Sequence, residues 1–199
     1  MADRAEGLRR QPADELSWVS RGLARLPGDP KGALADFEAA LALNPNSRPA
    51  LQNKASVLSD HFGRDEEAVR VLDAALKAHP SSVKALAGRG VLLARLGRRE
   101  AALGDAQAAL AIGDDAATSY QVAGLYALTS RHHPADLAEA LRLLSVALRK
   151  DASWLKVVPN DPDLNPIRDR AEFQELLRAA AVVQKTGQPA PAPVRPGPN

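Results

Sequence analysis

The sequence contains no cysteine, and aromatic side chains make up only 4% of its 199 residues. Without cysteine it can supply no disulfide, no thiolate nucleophile and no cysteine-ligated zinc site. Few aromatic residues argue against a β-sandwich or β-barrel, whose strands favour aromatic and β-branched side chains. Alanine and leucine provide most of the 45% hydrophobic residues, and small residues suit closely packed helices. The composition therefore predicts an all-α fold.

The sequence also lacks a long apolar run and a large excess of either charge. No stretch approaches the roughly 20 apolar residues that span a bilayer, and the first residues lack the apolar core of a secretory signal. We therefore expect a cytoplasmic protein with no membrane partner. The net charge is +2, from 26 Lys and Arg against 24 Asp and Glu. Without a cationic cluster interleaved with aromatic residues, we expect no nucleic-acid partner.

Motifs for catalysis and for cofactor binding are missing as well. The chain has no Gly-x-Ser-x-Gly nucleophile motif, no phosphate-binding loop and no kinase motif. His132 and His133 stand near Asp136, but adjacent histidines point in different directions and a third strong ligand is not evident. We predict no catalytic residue, no metal and no cofactor. A small hydrolase or transferase on a helical scaffold is the enzymatic alternative.

One pattern is repeated along the chain. A small residue and an aliphatic residue are followed three positions later by another apolar residue, and three positions after that by Ala-Leu. The pattern begins at Ala33, Ala68, Ala102 and Ala140, at intervals of 35, 34 and 38 residues. Residues three, four and seven apart share one face of an α-helix, so each copy predicts a helix with a buried stripe.

A second helix is predicted before each copy of this pattern. Each carries a small residue at which two helices can cross closely, and these residues recur at intervals of 33, 35 and 34: Gly22, Ala55, Gly90 and Gly124. Prolines end two of the copies, at Pro45 and Pro80, because proline cannot continue a helix. The repeating unit is therefore a pair of helices.

This unit resembles the tetratricopeptide repeat (TPR), a pair of antiparallel helices of about 34 residues. The residues that match the family's signature in the first unit are Trp18, Gly22, Ala33, Phe37, Ala40 and Pro45. The resemblance implies a right-handed superhelix, or α-solenoid, with a four-pair region over residues 14–151. The predicted pairs cover about 14–47, 48–82, 83–116 and 117–151.

The two ends of the chain differ from the repeats. Residues 152–185 are predicted to form capping helices, because a solenoid exposes an apolar face at its last repeat. Their Asp-Pro-Asp-Leu pattern from Asp161 resembles an element that follows TPR arrays in large bacterial serine/threonine protein kinases. We expect residues 1–13 to be flexible and the proline-rich tail, 186–199, to be disordered.

The resemblance also implies a binding surface, because the first helix of each TPR pair lines a concave groove. The residues that family geometry places there are Gln52, Asn53, Ser56, Ser59, Lys84, Val91, Arg95, Gln121 and Leu125. Asn53 stands where TPR proteins often carry an asparagine that bonds the ligand backbone. Lys84 matches one lysine of a carboxylate clamp, but Val19 and Gly88 leave that clamp incomplete.

The function predicted from the sequence is a non-catalytic scaffold that binds a segment of a protein or peptide partner in this groove. The resemblance to kinase-associated arrays suggests that the scaffold is part of a bacterial signalling or kinase system. The main alternative is a homo-oligomerisation module, in which the apolar outer face pairs with another copy. A further alternative is that the groove is simply solvated surface, or that the protein's own tail or a second copy fills it.

Overall fold

The computed structural model describes residues 12–186, and α-helices account for most of them. The nine α-helices of this range are α1 Glu15–Arg25, α2 Pro30–Leu43, α3 Arg48–Phe62, α4 Asp65–Ala78, α5 Val83–Arg95, α6 Arg99–Ile112, α7 Ala116–Thr129, α8 Asp136–Lys150 and α9 Ala171–Thr186. Three short 3-10 helices, Ala152–Lys156, Val158–Asn160 and Pro162–Ile167, precede α9. The described range contains no β-strand, and the prediction of an all-α fold is confirmed.

These helices form two compact units, with the boundary between Gly113 and Asp114. The first unit contains three packed pairs, α1 with α2, α3 with α4, and α5 with α6. The second contains the pair α7 and α8, the 3-10 helices and α9. The predicted flexible N-terminus and proline-rich tail lie almost entirely outside the described residues, and the division into four repeats and a cap stays a prediction.

The helix starts follow from capping residues in the sequence. The side chains of Asp14, Asp29 and Asp115 accept a hydrogen bond from the backbone N–H three residues later, at 2.8–2.9 Å. A helix leaves its first N–H groups without intrahelical partners, and these carboxylates satisfy one of them. The same bonds lower the pKa of Asp115, chiefly through the backbone N–H of Thr118.

In two of the pairs, a glycine follows the first helix and lets the chain turn back. Gly63, which follows α3, has φ +63°, and Gly97, in the turn between α5 and α6, has φ +73°. Only glycine adopts this left-handed conformation readily, so the chain can reverse there without strain. Each reversal turns the chain back so that a second helix packs against the first.

The first pair is packed around a contact between Gly22 and Phe37. Phe37 is fully buried, and a Cβ added at Gly22 would lie 2.6 Å from its Cε1 atom. The predicted close approach of the two helices at Gly22 is therefore present. Gly124 differs, because an added Cβ there would make an ordinary contact, 3.5 Å from Asp163 Cβ in a 3-10 helix. The glycine at 124 is thus not required by a close crossing of two helices.

In the second unit, the segment after α8 is held to α7 by aromatic and polar contacts. The rings of Tyr120 and Trp154 stack with centroids 4.1 Å apart, and the Tyr120 hydroxyl donates to Asp161 Oδ2 at 2.5 Å. Burial, reinforced by Asp161, raises the pKa of Tyr120 well above its usual range. Leu164, Ile167 and Phe173 are buried in the same unit, so the C-terminal elements share a hydrophobic core with the last pair.

Candidate functional site

The first helix of each pair in the first unit exposes one face, and we call these faces together the first-helix surface. Exposed or partly exposed residues three or four positions apart define it: Leu16, Ser20 and Leu23 on α1; Asn53, Ser56 and Asp60 on α3; and Lys84, Gly88, Val91 and Arg95 on α5. In a helix this spacing places the residues of each set on one side. Helix α3 contacts both α1 and α5, so the three faces are neighbours.

Ion pairs show which side of each first helix is turned toward the second helices. Arg21 of α1 bonds Asp36 in α2, and Arg89 of α5 bonds Asp105 in α6. The Nζ atom of Lys54, in α3, lies 2.9 Å from Oε1 of Glu38, also in α2. Each cation precedes the small crossing residue of its helix by one position. The first-helix surface lies on a different side of each helix from these ion pairs, about 100° or more away around its axis.

Polar bonds join α3 to α5 along this surface. Gln52 Nε2 donates to the hydroxyl of Ser82, before α5, at 3.0 Å. At the other end of α3, Ser59 Oγ accepts a bond from Arg95 Nη1 at 2.8 Å and donates to Asp65 Oδ1 at 2.6 Å. These bonds fix the register of the two helices, because a slip would break both ends at once.

The nine residues predicted to bind a partner therefore differ in what they present. Ser56 and Lys84 are exposed, and Lys84 makes no ion pair with the described residues. Gln52, Asn53 and Val91 are partly buried. The Asn53 amide donates to the carbonyl of Pro49, in its own helix, at 2.8 Å. Of the predicted set, Ser56 and Lys84 are thus exposed polar side chains that form no ion pair with the described residues.

Two of the predicted residues are buried, and a third, Arg95, is exposed but bonded to its neighbours. Ser59 is buried, with 8% exposure, and Arg95 bonds it and lies 3.8 Å from Asp60. Leu125, on α7 of the second unit, is fully buried and lines no surface in this structure, so that expectation is corrected. Its bulky apolar side chain packs in the core of that unit, where burial is more favourable than exposure. Gln121, on the same helix, is partly buried.

The prediction omitted two exposed leucines on α1. Leu16 is 63% exposed and Leu23 47% exposed, and they lie seven residues apart on the same side of the helix. The sequence contained the signal for both. Leu23 follows the crossing residue Gly22 as Val91 follows Gly90, and Leu16 precedes Gly22 by six positions as Lys84 precedes Gly90. The apolar end of the first-helix surface could therefore have been found by aligning the repeats.

The prediction also omitted the buried aspartates. Asp36 and Asp105 have side chains only 2% and 8% exposed, and each accepts two hydrogen bonds from one arginine at 2.7–2.9 Å. The Asp105 carboxylate raises the pKa of Arg89. Paired hydrogen bonds of this kind fix geometry as well as charge. These aspartates join the two helices of a pair.

The described residues form neither a metal-binding cluster nor a membrane-spanning helix. No group of three or more His, Asp or Glu side chains there is arranged to hold a metal ion. None of the helices between residues 12 and 186 has the length and apolar character needed to cross a membrane.

The helix pairs place the chain in a class of all-α repeat proteins, and comparison with known proteins narrows that class. Residues 24–90 match the family model of the tetratricopeptide repeat. The match covers 67 of the 199 residues. No curated protein matches it.

Several solved structures share the fold. A thermophilic TPR protein of Thermus thermophilus is 22% identical, with a TM-score of 0.64, and the match covers 88% of this chain and 87% of that one. The crystal structure of MamA is 16% identical, with a TM-score of 0.57, over 77% of this chain and 87% of that one. A double mutant of MamA RS-1 is 20% identical, with a TM-score of 0.59, over 89% of this chain and 99% of that one. Identities this low establish similarity of fold alone.

Proposed function

We propose that this chain is a non-catalytic scaffold that binds a segment of a protein partner on the first-helix surface. Tetratricopeptide repeats generally mediate protein–protein interaction, and stacked helix pairs create extended surfaces suited to it. The observation that carries the proposal is the contrast between two of the three cations of α5, Arg89 and Lys84. Arg89 is bonded to two aspartates, whereas Lys84, on the first-helix surface, is exposed and has no ion pair with the described residues.

The composition of the surface supports the same proposal. Leu16 and Leu23 supply apolar area, Ser56 supplies a hydroxyl and Lys84 a charge. Protein-binding surfaces combine apolar area with polar groups that fix orientation. Cysteine chemistry is impossible for this sequence, and no catalytic motif was found, so catalysis has no positive support.

We also propose that the scaffold works in the cytoplasm, as part of a bacterial signalling protein of the kinase-linked kind. The supporting feature is the sequence from Asp161 to Ile167, which resembles an element that follows kinase-associated TPR arrays. The family match ends at residue 90, and the solved neighbours show similarity of fold alone, so this part of the proposal rests on the sequence resemblance. The test is to isolate binding partners and ask whether they include a kinase or its substrates.

Single charge and size changes on the first-helix surface test the binding proposal. Lys84→Glu reverses the accessible charge, and Ser56→Arg places a long side chain in the middle of the surface. The matched controls are Lys77→Glu and Gln107→Arg, exposed positions on the second helices α4 and α6. Each protein is immobilised, exposed to native lysate and compared by quantitative mass spectrometry, with circular dichroism as the test of folding.

We expect a partner that wild type and both controls retain and that both surface variants lose. Loss with all four variants would point to general damage, and retention by all four would remove the first-helix surface from the account.

Self-association is the second candidate, and exposed apolar residues on second helices favour it. Leu43 ends α2 with 58% exposure, and Ile112 ends α6 with 53% exposure. Light scattering across a hundredfold concentration range distinguishes the candidates. An oligomerisation module would be established if the mass of the wild-type protein doubles with concentration while Leu43→Ser/Ile112→Ser keeps the mass of a monomer.

A further inference from the structure

The first-helix surface is not uniform, and its two ends have different chemistry. At α1 it presents Leu16 and Leu23, 63% and 47% exposed, with only the small polar Ser20 between them. Two leucines on one helical stripe, with no charged residue between them, form an apolar patch that water solvates poorly. The cationic residues of α1 do not interrupt this patch, because Arg21 and Arg25 are bonded to Asp36.

The α5 end of the same surface is polar and cationic. Lys84 is exposed there and forms no ion pair with the described residues, so it can accept an acidic partner without breaking a native contact. Asp60 is exposed farther along the surface, but it lies 3.8 Å from Arg95, which balances its charge. The accessible charge at the α5 end is therefore positive.

The distance between the two ends limits what can bridge them. Packed helices lie about 8–10 Å apart, so α1 and α5, with α3 between them, are separated by about 16–20 Å. An extended peptide rises about 3.3 Å per residue, and five or six residues would span that distance. The middle of the surface, on α3, presents Asn53, Ser56 and Asp60, and none of these is a large apolar or aromatic side chain that would block such a segment.

We propose that the preferred ligand is an extended segment of a partner protein with an apolar side chain at one end and an aspartate or glutamate five or six residues away. The apolar side chain packs on Leu16 and Leu23, and the carboxylate pairs with Lys84. This inference rests on the proposed binding function and deepens it, because it states the chemistry of the bound segment.

Selection from a displayed library of random decapeptides tests this specificity. The baits are the full-length wild-type chain, Leu16→Ser/Leu23→Ser, Lys84→Glu and Ser56→Arg. Leu43→Ser/Ile112→Ser and Lys77→Glu are matched controls that change equally exposed residues on the second helices. The best wild-type peptide is then synthesised, and its affinity for each variant is measured by fluorescence anisotropy at low and high salt.

We expect wild type and controls to enrich the same peptides, with aliphatic or aromatic residues five or six positions from Asp or Glu. Leu16→Ser/Leu23→Ser should weaken the synthesised peptide by about tenfold or more, because apolar burial is lost. Lys84→Glu should weaken it several-fold, more at low salt than at high salt, and should itself select peptides with Lys or Arg.

Other outcomes overturn the inference in distinguishable ways. Peptides that lose binding to Ser56→Arg but not to Leu16→Ser/Leu23→Ser would keep the binding surface and reject its apolar end. Peptides without an acidic residue would reject the role of Lys84. No enrichment on wild type, or binding equal on all variants, would reject the proposed function itself. A wild-type dimer that Leu16→Ser/Leu23→Ser makes monomeric would show that a second copy covers the leucines.

Discussion

Replacing Gly22 by alanine sets helix propensity against packing, and the structure decides which effect is larger. Alanine in a helix interior is about 1 kcal/mol more favourable than glycine. The new Cβ, however, would lie 2.6 Å from Cε1 of Phe37 and 3.0 Å from its Cδ1 and Cζ, well inside the usual 3.5–4.0 Å contact between carbon atoms. Phe37 has 0% exposure, so its ring has no free space in which to retreat.

Overpacking of this kind costs about 1–3 kcal/mol, which exceeds or cancels the gain in propensity. We expect Gly22→Ala to lower the free energy of unfolding by about 0–2 kcal/mol, which urea denaturation followed by circular dichroism measures. Gly104→Ala is the matched control, because no atom lies within 4 Å of an added Cβ at this exposed position in α6. That variant should be stabilised by about 1 kcal/mol.

A second substitution tests the cause of the loss. Phe37→Leu removes ring atoms from the space that the alanine methyl group needs, and it should cost about 1–2 kcal/mol by itself. In combination with Gly22→Ala the total loss should be smaller than the sum of the two, by about 1 kcal/mol or more. Strict additivity, or a Gly22→Ala variant as stable as Gly104→Ala, would refute the close packing of α1 on α2.

Three further substitutions test the polar contacts. Asp36→Ala removes the carboxylate that pairs with Arg21 and Arg25, and should lower the free energy of unfolding by about 2–4 kcal/mol in urea denaturation. Asp73→Ala removes a 53% exposed partner of Arg89 and should cost only about 0–1 kcal/mol. Equal losses in the two variants would contradict the importance of burial. Tyr120→Phe removes the bond to Asp161 and should cost about 1 kcal/mol at pH 8. Because the folded pKa of Tyr120 is raised, its contribution is complete below about pH 10 and is lost above it. Ionisation of the unfolded phenol should lower the difference by about 1.4 kcal/mol at pH 11, which cancels it or makes Tyr120→Phe slightly the more stable protein. A pH-independent difference would mean that Tyr120 is not buried as a neutral phenol.

The sequence predicted the helix pairs because their cause is local. Apolar residues at helical spacing, small residues at crossings and prolines after the helices at Pro45 and Pro80 are visible in a single chain. Gly22 could be recognised as a crossing residue because its spacing repeats. Gly124 has the same spacing but makes only an ordinary contact with a 3-10 helix. Spacing alone does not reveal which neighbour a small residue faces.

The candidate site was harder to predict, because exposure depends on partners that are distant in sequence. Ser59 looks like a surface serine until Asp65 and Arg95 are placed beside it. Asp36 looks like a solvated charge on a helix, yet it lies buried against Arg21. In both cases a residue on another helix determines the environment, and composition and periodicity do not specify that neighbour.

The exposed leucines show the opposite limitation. Leu16 and Leu23 were overlooked because a leucine in an amphipathic helix is usually assigned to the core. Their positions relative to Gly22 match those of Lys84 and Val91 relative to Gly90, which is a signal for the surface. Comparing repeats position by position is therefore more informative here than judging each helix by hydrophobicity.

Binding on the first-helix surface is the central claim, and amide hydrogen exchange with and without the best-enriched peptide tests it most directly. We expect slower exchange in α1, α3 and α5 on binding, with α2, α4 and α6 unchanged, because only the first helices contact the ligand. Protection confined to the second helices, or to the second unit, would contradict the account even if the peptide binds tightly.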